Sequence, residues 1–340
     1  MGLKIYHSVS ELKDKTILIA SLNWGLGHVF RSASVVRSLA KQGNRIVIAC
    51  SESQQPYFKS LLTNVHVKYV IIADYPFVFG GKSNWLWDGM KSFFALRKHL
   101  HSEELSVLRL IAEHNIDVVI SDHRYGFWCA AVPTIFITHQ IKLPLPFFGI
   151  FVAWLHNFYL KRFTAVWIMD TETNALAGTL SRKRAPNQFY IGFWSCYHNQ
   201  DNLASNGNSS DRKLAAKVPE IKGEKTQVLI IVNGPSPYNL QLQEKAIQKY
   251  LAFEHVTIVS PIEISACPGH WKCLKNPEFS VLNQLYNNAD LIVSYCGYSS
   301  LMDAKLNGKV IDFSATPGQR EQLYLMKHNK IQSVSLETII

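Results

Sequence analysis

Two turns in this sequence combine glycine with polar side chains directly after apolar runs, where α/β proteins collect catalytic and binding groups. The first turn, 23–28 (NWGLGH), follows the apolar run 15–22, and the second, 296–300 (CGYSS), follows the run 290–294. A helical pattern begins after each turn. Backbone N–H groups and the positive dipole end at a helix start favour an anion such as a pyrophosphate. The second turn is therefore a candidate anion site.

His28 is the first candidate for catalysis, because it stands at the amino end of a predicted helix. The helix dipole favours a neutral imidazole at that position. A neutral imidazole there could take the proton of an acceptor hydroxyl as a general base. Asp122 and His139 follow later apolar runs and are alternative bases, or groups that orient a base. Helix capping by His28 or Asp122 stays open, as does simple strand termination at His139.

The elements that must position these groups alternate between apolar runs and helical patterns. The first half has predicted strands at 15–22, 45–50, 67–72, 116–122, 133–139 and 165–169, and predicted helices at 29–41 and 90–114. The pattern then restarts, with strands at 227–232, 255–260, 290–294 and 309–313. Such alternation predicts parallel, doubly wound sheets. Ligands lie outside the carboxyl ends of these strands, so the polar turns should meet in one cleft.

The predicted boundary between the halves is 201–224, a segment rich in Asn, Ser, Gly and charge. We therefore expect an α/β protein with a Rossmann-like domain at 1–200, a linker at 201–224 and a second Rossmann-like domain at 225–340. A chain of 340 residues is long for one domain and comfortable for two.

The formal net charge of +10 favours acidic partners such as nucleotides or anionic lipid headgroups. The densest basic run, 181–184 (SRKR), is typical of a solvated helix end, so no nucleic-acid partner is expected. The amino terminus has no apolar signal core, and the most apolar segment, 143–155, is too short to span a bilayer. A cytoplasmic location is expected, with contact at the inner face of the cell membrane.

The six cysteines do not show the spacing of a disulfide framework in a chain of this size, and a reducing compartment fits them better. Cys267, His270 and Cys273 are close in sequence but lack the paired second half of a zinc site. No metal site is expected.

Three aromatic clusters, at 75–79, 85–87 and 147–154, flank the first half. Glycine, proline and lysine interrupt them, which favours loops that grip an apolar acceptor or lie on a membrane surface. Ordinary core packing is the alternative.

A dinucleotide-binding fingerprint is disfavoured. Gly25 and Gly27 match its first two glycines, but Phe30 occupies the third position, where a glycine permits close packing of helix on strand. A nicotinamide-dependent enzyme is therefore a weak alternative.

These residues resemble the two-domain nucleotide-sugar glycosyltransferases of the GT-B fold. In particular, the chain is similar to the family 28 type, which contains the peptidoglycan UDP-N-acetylglucosamine transferase and the plant galactolipid synthases. The resemblance rests on 24–31 (WGLGHVFR) in the first half and on 297–303 (GYSSLMD) with 316–322 (TPGQREQ) in the second. Both motifs occur in the expected halves and order, and the likeness in domain order spans nearly the whole chain.

The resemblance implies roles for the matching positions. Gly25 and Gly27 would line the acceptor side, with His28 near the reacting hydroxyl. Asp303 would bind the ribose, at a position where the family usually has a glutamate. The remaining donor-binding positions would be Asn233, Gly234, Gly297, Tyr298, Ser299, Ser300, Gln319, Glu321 and Gln322.

The implied reaction is transfer of a hexose or N-acetylhexosamine from a UDP-sugar to a hydroxyl of an apolar or lipid-linked acceptor. It would be inverting and metal-independent, would need no cofactor, and would rely on backbone amides to stabilise the leaving diphosphate. Asn239 departs from the family, because relatives commonly carry there an arginine that pairs with the diphosphate. A nucleotide-sugar epimerase and a catalytically silent sugar-nucleotide-binding protein are the alternatives.

Overall fold

A computed structural model describes residues 2–75, 93–145, 149–197, 226–264 and 266–331. These residues fall into two compact units, one ending at Cys196 and the other continuing from Tyr197. The predicted linker at 201–224 lies outside the described residues, so the predicted domain boundaries stay a prediction.

The first unit is built on a parallel sheet whose strand order is β3-β2-β1-β4-β5-β6-β7. Its strands are β1 (Thr16–Ser21), β2 (Arg45–Cys50), β3 (Val67–Ile71), β4 (Val118–Asp122), β5 (Thr134–Thr138), β6 (Ala165–Ile168) and β7 (Gln188–Tyr190). The central strands β1, β4 and β5 are buried along their whole length, which explains their continuous apolar runs.

The helices of the first unit are α1 (Leu26–Lys41), α2 (Gln55–Leu61), α3 (Phe93–His114) and α4 (Ile150–Leu160). Helix α1 buries Val29, Ala33 and Val36, which recur at helical spacing along one face. The chain turns after α1 at Gly43, whose φ is +79°. This value favours glycine and explains the end of the helix at that point.

The second unit repeats the same design with the strand order β10-β9-β8-β11-β12, again parallel throughout. Its strands are β8 (Val228–Ile231), β9 (Val256–Ser260), β10 (Lys272–Lys275), β11 (Leu291–Tyr295) and β12 (Val310–Ser314). Its helices are α5 (Tyr238–Tyr250), α6 (Phe279–Asn288), α7 (Tyr298–Asn307) and α8 (Arg320–His328). Gly308 ends α7 in the left-handed conformation, with φ +61°.

The predicted fold class, two doubly wound α/β units, is confirmed. In each sheet the first strand in chain order, β1 or β8, lies between two neighbours, and the strand order reverses beside it. This reversal creates a crevice at the carboxyl ends of the strands, where ligands bind in such sheets. The sequence analysis did not predict the short elements β7, β10, α2 and α6.

The aromatic cluster at 147–154 was predicted to form a loop, and this was wrong for its second half, because Ile150–Leu160 is helix α4. The segment contains no proline or glycine, and the interrupting residues all precede it. Tyr75 is buried, contrary to an exposed loop. The other predicted aromatic-loop residues, 76–79, 85–87 and 147–148, lie outside the described residues. No helix in the described part of the chain is long and apolar enough to cross a membrane.

Cys267 and Cys273 form a disulfide, which the sequence analysis did not predict. The turn between them brings their Cα atoms to 6.3 Å, within the range that a disulfide needs. The bond also removes both thiols from any metal site with His270. The other four cysteines are buried and form no disulfide.

Candidate functional site

The first glycine turn and the ends of two strands bring polar side chains together at the carboxyl edge of the first sheet. Gly25, with φ +137°, precedes α1, and His28, Arg31 and Ser32 follow on the first turns of that helix. Asp122 ends β4, the strand beside β1. These residues therefore lie at the point where the strand order reverses.

Asp122 is completely buried and receives hydrogen bonds on both carboxylate oxygens. Its Oδ2 lies 3.0 Å from Arg31 Nε and 3.0 Å from Ser32 Oγ. Its Oδ1 accepts a hydrogen bond from Arg31 Nη2. The guanidinium and the carboxylate thus pair edge to edge, the strong bidentate geometry of such pairs. Asp122 is therefore no helix cap but the counter-ion of a buried arginine.

Arg31 also contacts two histidines with the outer edge of its guanidinium. Its Nη2 lies 2.8 Å from Nδ1 of His28, and its Nη1 lies 3.2 Å from Nδ1 of His139. Nδ1 of His28 is 3.2 Å from Asp122 Oδ2 as well. Arg31 therefore connects the three residues that the sequence predicted as catalytic.

Burial and the nearby charge of Arg31 hold the imidazole of His28 neutral. Burial lowers the pKa of His28, the charge of Arg31 lowers it further, and Asp122 offsets part of the effect. Burial alone would raise the pKa of Asp122, but Arg31 and His28 outweigh it and hold that pKa well below its usual range. At neutral pH the cluster thus contains a carboxylate, a guanidinium and a neutral imidazole at position 28.

His123 is a member of this cluster that the sequence analysis missed. It follows Asp122 with φ +61°, a backbone conformation that residues other than glycine rarely adopt. Its ring centroid lies 5.7 Å from that of His28 and 6.1 Å from that of His139. Its buried Nδ1 has no hydrogen-bond partner among the described residues. Burial lowers its pKa well below the usual value, and the positive charge of Arg31 lowers it further.

The buried His156 gives the first unit a pH-dependent stability. Burial lowers the pKa of His156 to about 4, and Nδ1 of this histidine lies 2.8 Å from the Tyr125 hydroxyl. The unfolded chain has a histidine pKa of about 6.5, so it binds more protons than the folded chain between these values. Acidification to pH 5 should therefore lower the free energy of unfolding, by about 2 kcal/mol from His156 alone.

Urea denaturation at pH 7 and pH 5 measures this loss of stability. The variant His156→Gln retains a hydrogen-bonding side chain but cannot be protonated, so its stability should depend less on pH. An equal dependence in the variant and the parent protein would contradict the assignment.

In the second unit, the turns after β8, β11 and β12 meet at the carboxyl edge of the sheet. Asn233 accepts a hydrogen bond from the Tyr295 amide at 2.8 Å and donates one to the Tyr295 carbonyl at 3.1 Å. Gly234 has φ +87°, and a Cβ there would lie 3.0 Å from the Tyr295 ring. The predicted donor loop is therefore fixed to the end of β11, and glycine is required at its tip.

Helix α7 begins at Tyr298, directly after this edge, and no side chain caps it at Gly297. The first turn of α7 therefore carries Tyr298, Ser299 and Ser300 to the place where the dipole favours an anion. The predicted ribose ligand Asp303 is one turn further on and only 8% exposed. It is close enough to the buried Tyr286 hydroxyl to help raise the pKa of Tyr286, after the larger effect of burial.

The loop after β12 brings the third set of predicted donor residues to this edge. Gln322 accepts a hydrogen bond from the Thr316 amide at 2.7 Å, and Gln319 precedes α8. Glu321 lies in the first turn of α8 and helps raise the pKa of the buried Cys296 thiol, after the larger effect of burial. The Thr316 hydroxyl is buried beside Gly234 and, among the described residues, has no partner.

Asn239, which stands where an arginine was expected, lies in the first turn of α5 and is buried. Its side-chain oxygen accepts a hydrogen bond from the Leu240 amide at 2.9 Å. Asn239 therefore supplies no charge to the donor edge.

The structure thus groups the predicted acceptor-side residues at one sheet edge and the predicted donor residues at another, while their roles stay predictions. Sequence reasoning missed Arg31, His123 and Thr316. Arg31 had a signal, because it is three residues after His28 and must share its helix face. The described residues contain no group of three His, Cys, Asp or Glu side chains that could hold a metal ion.

Comparison with known proteins gives matches at the level of structure. No protein-family model and no curated protein sequence matches the chain. The structure is similar to that of the glycotransferase of kitacinnamycin, with a TM-score of 0.57 and 12% identity over 96% of this chain and 87% of that one. It is also similar to the glycosyltransferase SnogD from Streptomyces nogalater, with a TM-score of 0.55 and 13% identity over 93% and 84% of the two chains.

A third similar structure is the spinosyn rhamnosyltransferase SpnG complexed with thymidine diphosphate. Its TM-score is 0.52, at 12% identity over 93% of this chain and 90% of that one. These proteins share one architecture of two Rossmann-like units, and the matches span both units of this chain. The chain has the GT-B fold. The GT-B resemblance in the sequence is thereby confirmed for the fold, whereas membership of the family 28 type stays a prediction.

Proposed function

We propose that this GT-B protein is a glycosyltransferase that moves a hexose or N-acetylhexosamine from a UDP-sugar to a hydroxyl of an apolar or lipid-linked acceptor. The observation that carries the proposal is the buried His28–Arg31–Asp122–His139 cluster at the strand-order reversal of the first sheet. The similar rhamnosyltransferase complexed with thymidine diphosphate supports a nucleoside diphosphate as the leaving group.

In the proposed reaction the acceptor oxygen forms a bond to the anomeric carbon of the donor sugar. The bond between that carbon and the phosphate oxygen breaks, and the nucleoside diphosphate leaves with the electron pair. The acceptor proton moves to His28, and Asp122 stabilises the imidazolium that forms. Attack opposite the leaving group inverts the anomeric carbon.

The donor would lie at the carboxyl edge of the second sheet. Ser299 and Ser300, at the start of α7, would receive the diphosphate, whose growing negative charge the helix dipole and backbone amides stabilise. No metal is needed in this scheme, because the helix start supplies the positive end. The buried Thr316 hydroxyl beside Gly234 is a further donor for the same anion.

The test of this proposal is a thermal shift measured with UDP, thymidine diphosphate, NAD and buffer alone. A ligand that binds only the folded state stabilises it by about 2.7 kcal/mol at a free concentration of about 100 times Kd. We expect stabilisation by nucleoside diphosphates and none by NAD. Stabilisation by NAD without any response to the diphosphates would rule out a sugar-nucleotide transferase.

We further propose that α4 contacts the inner face of the cell membrane, where a lipid-linked acceptor would be found. Phe151, Trp154 and Phe158 are 61%, 59% and 50% exposed, and successive ring centroids along the helix are 5.9 Å apart. The exposed Lys142 and Lys161 lie close in sequence to the two ends of this segment. An aromatic helix face near lysines is suited to an anionic lipid surface.

Sedimentation with phospholipid vesicles tests this contact. The parent protein should sediment with vesicles that contain phosphatidylglycerol, and the double variant F151S/W154S should lose most of this binding. The matched control, L105S/L108S, removes exposed apolar side chains from α3 instead, at positions that are 55% and 44% exposed. Equal binding by the two double variants would contradict a role of α4.

A further inference from the structure

Two groups compete for one nitrogen of His28. Nδ1 lies 2.8 Å from Arg31 Nη2 and 3.2 Å from Asp122 Oδ2. A neutral imidazole carries one proton, on Nδ1 or on Nε2. A proton on Nδ1 would satisfy Asp122 but would point at an N–H of Arg31. A proton on Nε2 leaves the Nδ1 lone pair for Arg31. The two contacts therefore exclude each other as hydrogen bonds.

Arg31 cannot accept a hydrogen bond from Nδ1–H of His28, because a guanidinium has only donors and is always charged. Its Nε–H and one Nη2 hydrogen already donate hydrogen bonds to Asp122. The second Nη2 hydrogen and one Nη1 hydrogen remain on the outer edge, where Nδ1 of His28 and Nδ1 of His139 lie at 2.8 and 3.2 Å. Asp122, in contrast, retains three donors without His28: two from Arg31 and one from Ser32.

We propose that Arg31 is a positioning residue that holds His28 as a neutral imidazole with its proton on Nε2. The Nε2–H form is the resting state of His28, and the Nδ1–H form bonded to Asp122 is the state in which Nε2 can accept a proton. Arg31 thereby sets the fraction of molecules in which Nε2 of His28 has a free lone pair and can accept a proton. This last consequence rests on the proposed function, whereas the position of the proton does not.

The surroundings of His28 agree with a neutral resting state. Arg31 on its own helix, His123 after β4 and His139 after β5 face it, and Asp122 is the carboxylate among them. The negative charge of Asp122 is already paired with Arg31, so it only weakly favours a second proton on the His28 ring. A hydrogen bond donated to the Nδ1 lone pair further favours the neutral form, since that bond is lost on protonation.

Nitrogen-15 NMR of the imidazole side chains tests the proposal in the parent protein without any substrate. The spectrum distinguishes Nδ1–H, Nε2–H and doubly protonated imidazoles, and the variant His28→Gln identifies the His28 signals by their loss. We expect His28 to carry its proton on Nε2 at pH 7. A proton on Nδ1, or an imidazolium at that pH, would overturn the proposal.

A pair of variants then tests whether Arg31 is the cause. Arg31→Lys keeps a positive charge for Asp122 but has no planar fork to reach both histidines. It should move the His28 proton towards Nδ1 and raise the His28 pKa. The matched control is Arg124→Lys, which alters a second fully buried arginine, paired with Glu103. An unchanged His28 tautomer in folded Arg31→Lys would refute the role of Arg31.

The result is independent of the outcome for transfer activity. An Nε2–H tautomer in a protein that binds no nucleoside diphosphate would leave this inference standing and remove the proposed function. If Arg31→Lys does not fold, the spectrum of the parent protein alone decides the position of the proton. In an active enzyme, Arg31→Lys should shift the acidic limb of the kcat profile to higher pH, whereas Arg124→Lys should not.

Discussion

Replacement of His28 by alanine is expected to lower kcat by about 10²- to 10⁴-fold while leaving the affinity for UDP unchanged. The reason is that His28 belongs to the cluster at the first sheet, whereas the proposed diphosphate site lies in the second unit. Steady-state transfer assays and UDP titrations of the same preparations measure the two quantities separately. His101→Ala is the control, because His101 is exposed on α3 and distant in sequence from the cluster.

The outcome of this experiment also separates the alternative functions. A catalytically silent sugar-nucleotide-binding protein, which the uncharged Asn239 would suit, should function equally well with alanine at position 28. An epimerase should release an altered sugar nucleotide when no acceptor is present, which product analysis would reveal. A large loss of turnover with intact UDP affinity, and with an acceptor required, is the result that agrees only with the transferase.

Replacement of Asp122 by alanine is expected to lower the free energy of unfolding by about 3–5 kcal/mol. Both Asp122 and Arg31 are almost completely inaccessible to water, so the variant would leave a guanidinium buried without its counter-ion. Urea denaturation at pH 7 measures the change. Glu263→Ala is the control, because its ion pair with Lys275 is exposed and worth about 0–1 kcal/mol.

The double variant D122A/R31M separates the effect of the unpaired charge on stability from the effect of lost packing. If the cost of Asp122→Ala comes from the unpaired charge, removing that charge as well should restore much of the lost stability. A double variant as unstable as Asp122→Ala alone would show that packing, and not the ion pair, accounts for the loss.

Much of the fold could be predicted because the information was local. The strands β1, β4 and β11 are mostly apolar runs rich in β-branched residues, and each is followed by a turn whose residue types mark it. Their alternation with helices leaves few topologies, and both sheets adopt one of these. Helix α4 escaped prediction because its sequence is apolar on nearly all sides, so it shows no polar face from which helical periodicity can be read.

The candidate site could be predicted only as far as its side chains follow strands. His28, Asp122 and His139 were found in this way, since each lies at the carboxyl end of a predicted strand or in the turn after it. The position of Arg31 beside His28 could be read from their spacing, but its pairing with Asp122 could not, because the two residues are 91 apart in sequence and meet only in the tertiary structure. The positive φ of His123 likewise depends on the fold around it, so it could not be predicted from the residue type alone.

The short strand β10 has a consequence for how this protein behaves at high concentration. It forms one edge of the described second sheet, and such an edge is a template on which another chain can add a strand and aggregate. Lys272 and Lys275 are exposed at its two ends, and the disulfide from Cys273 to Cys267 ties the strand to the preceding turn. Charge and a covalent tether thus protect this edge, so a reducing buffer should make the protein more prone to self-association.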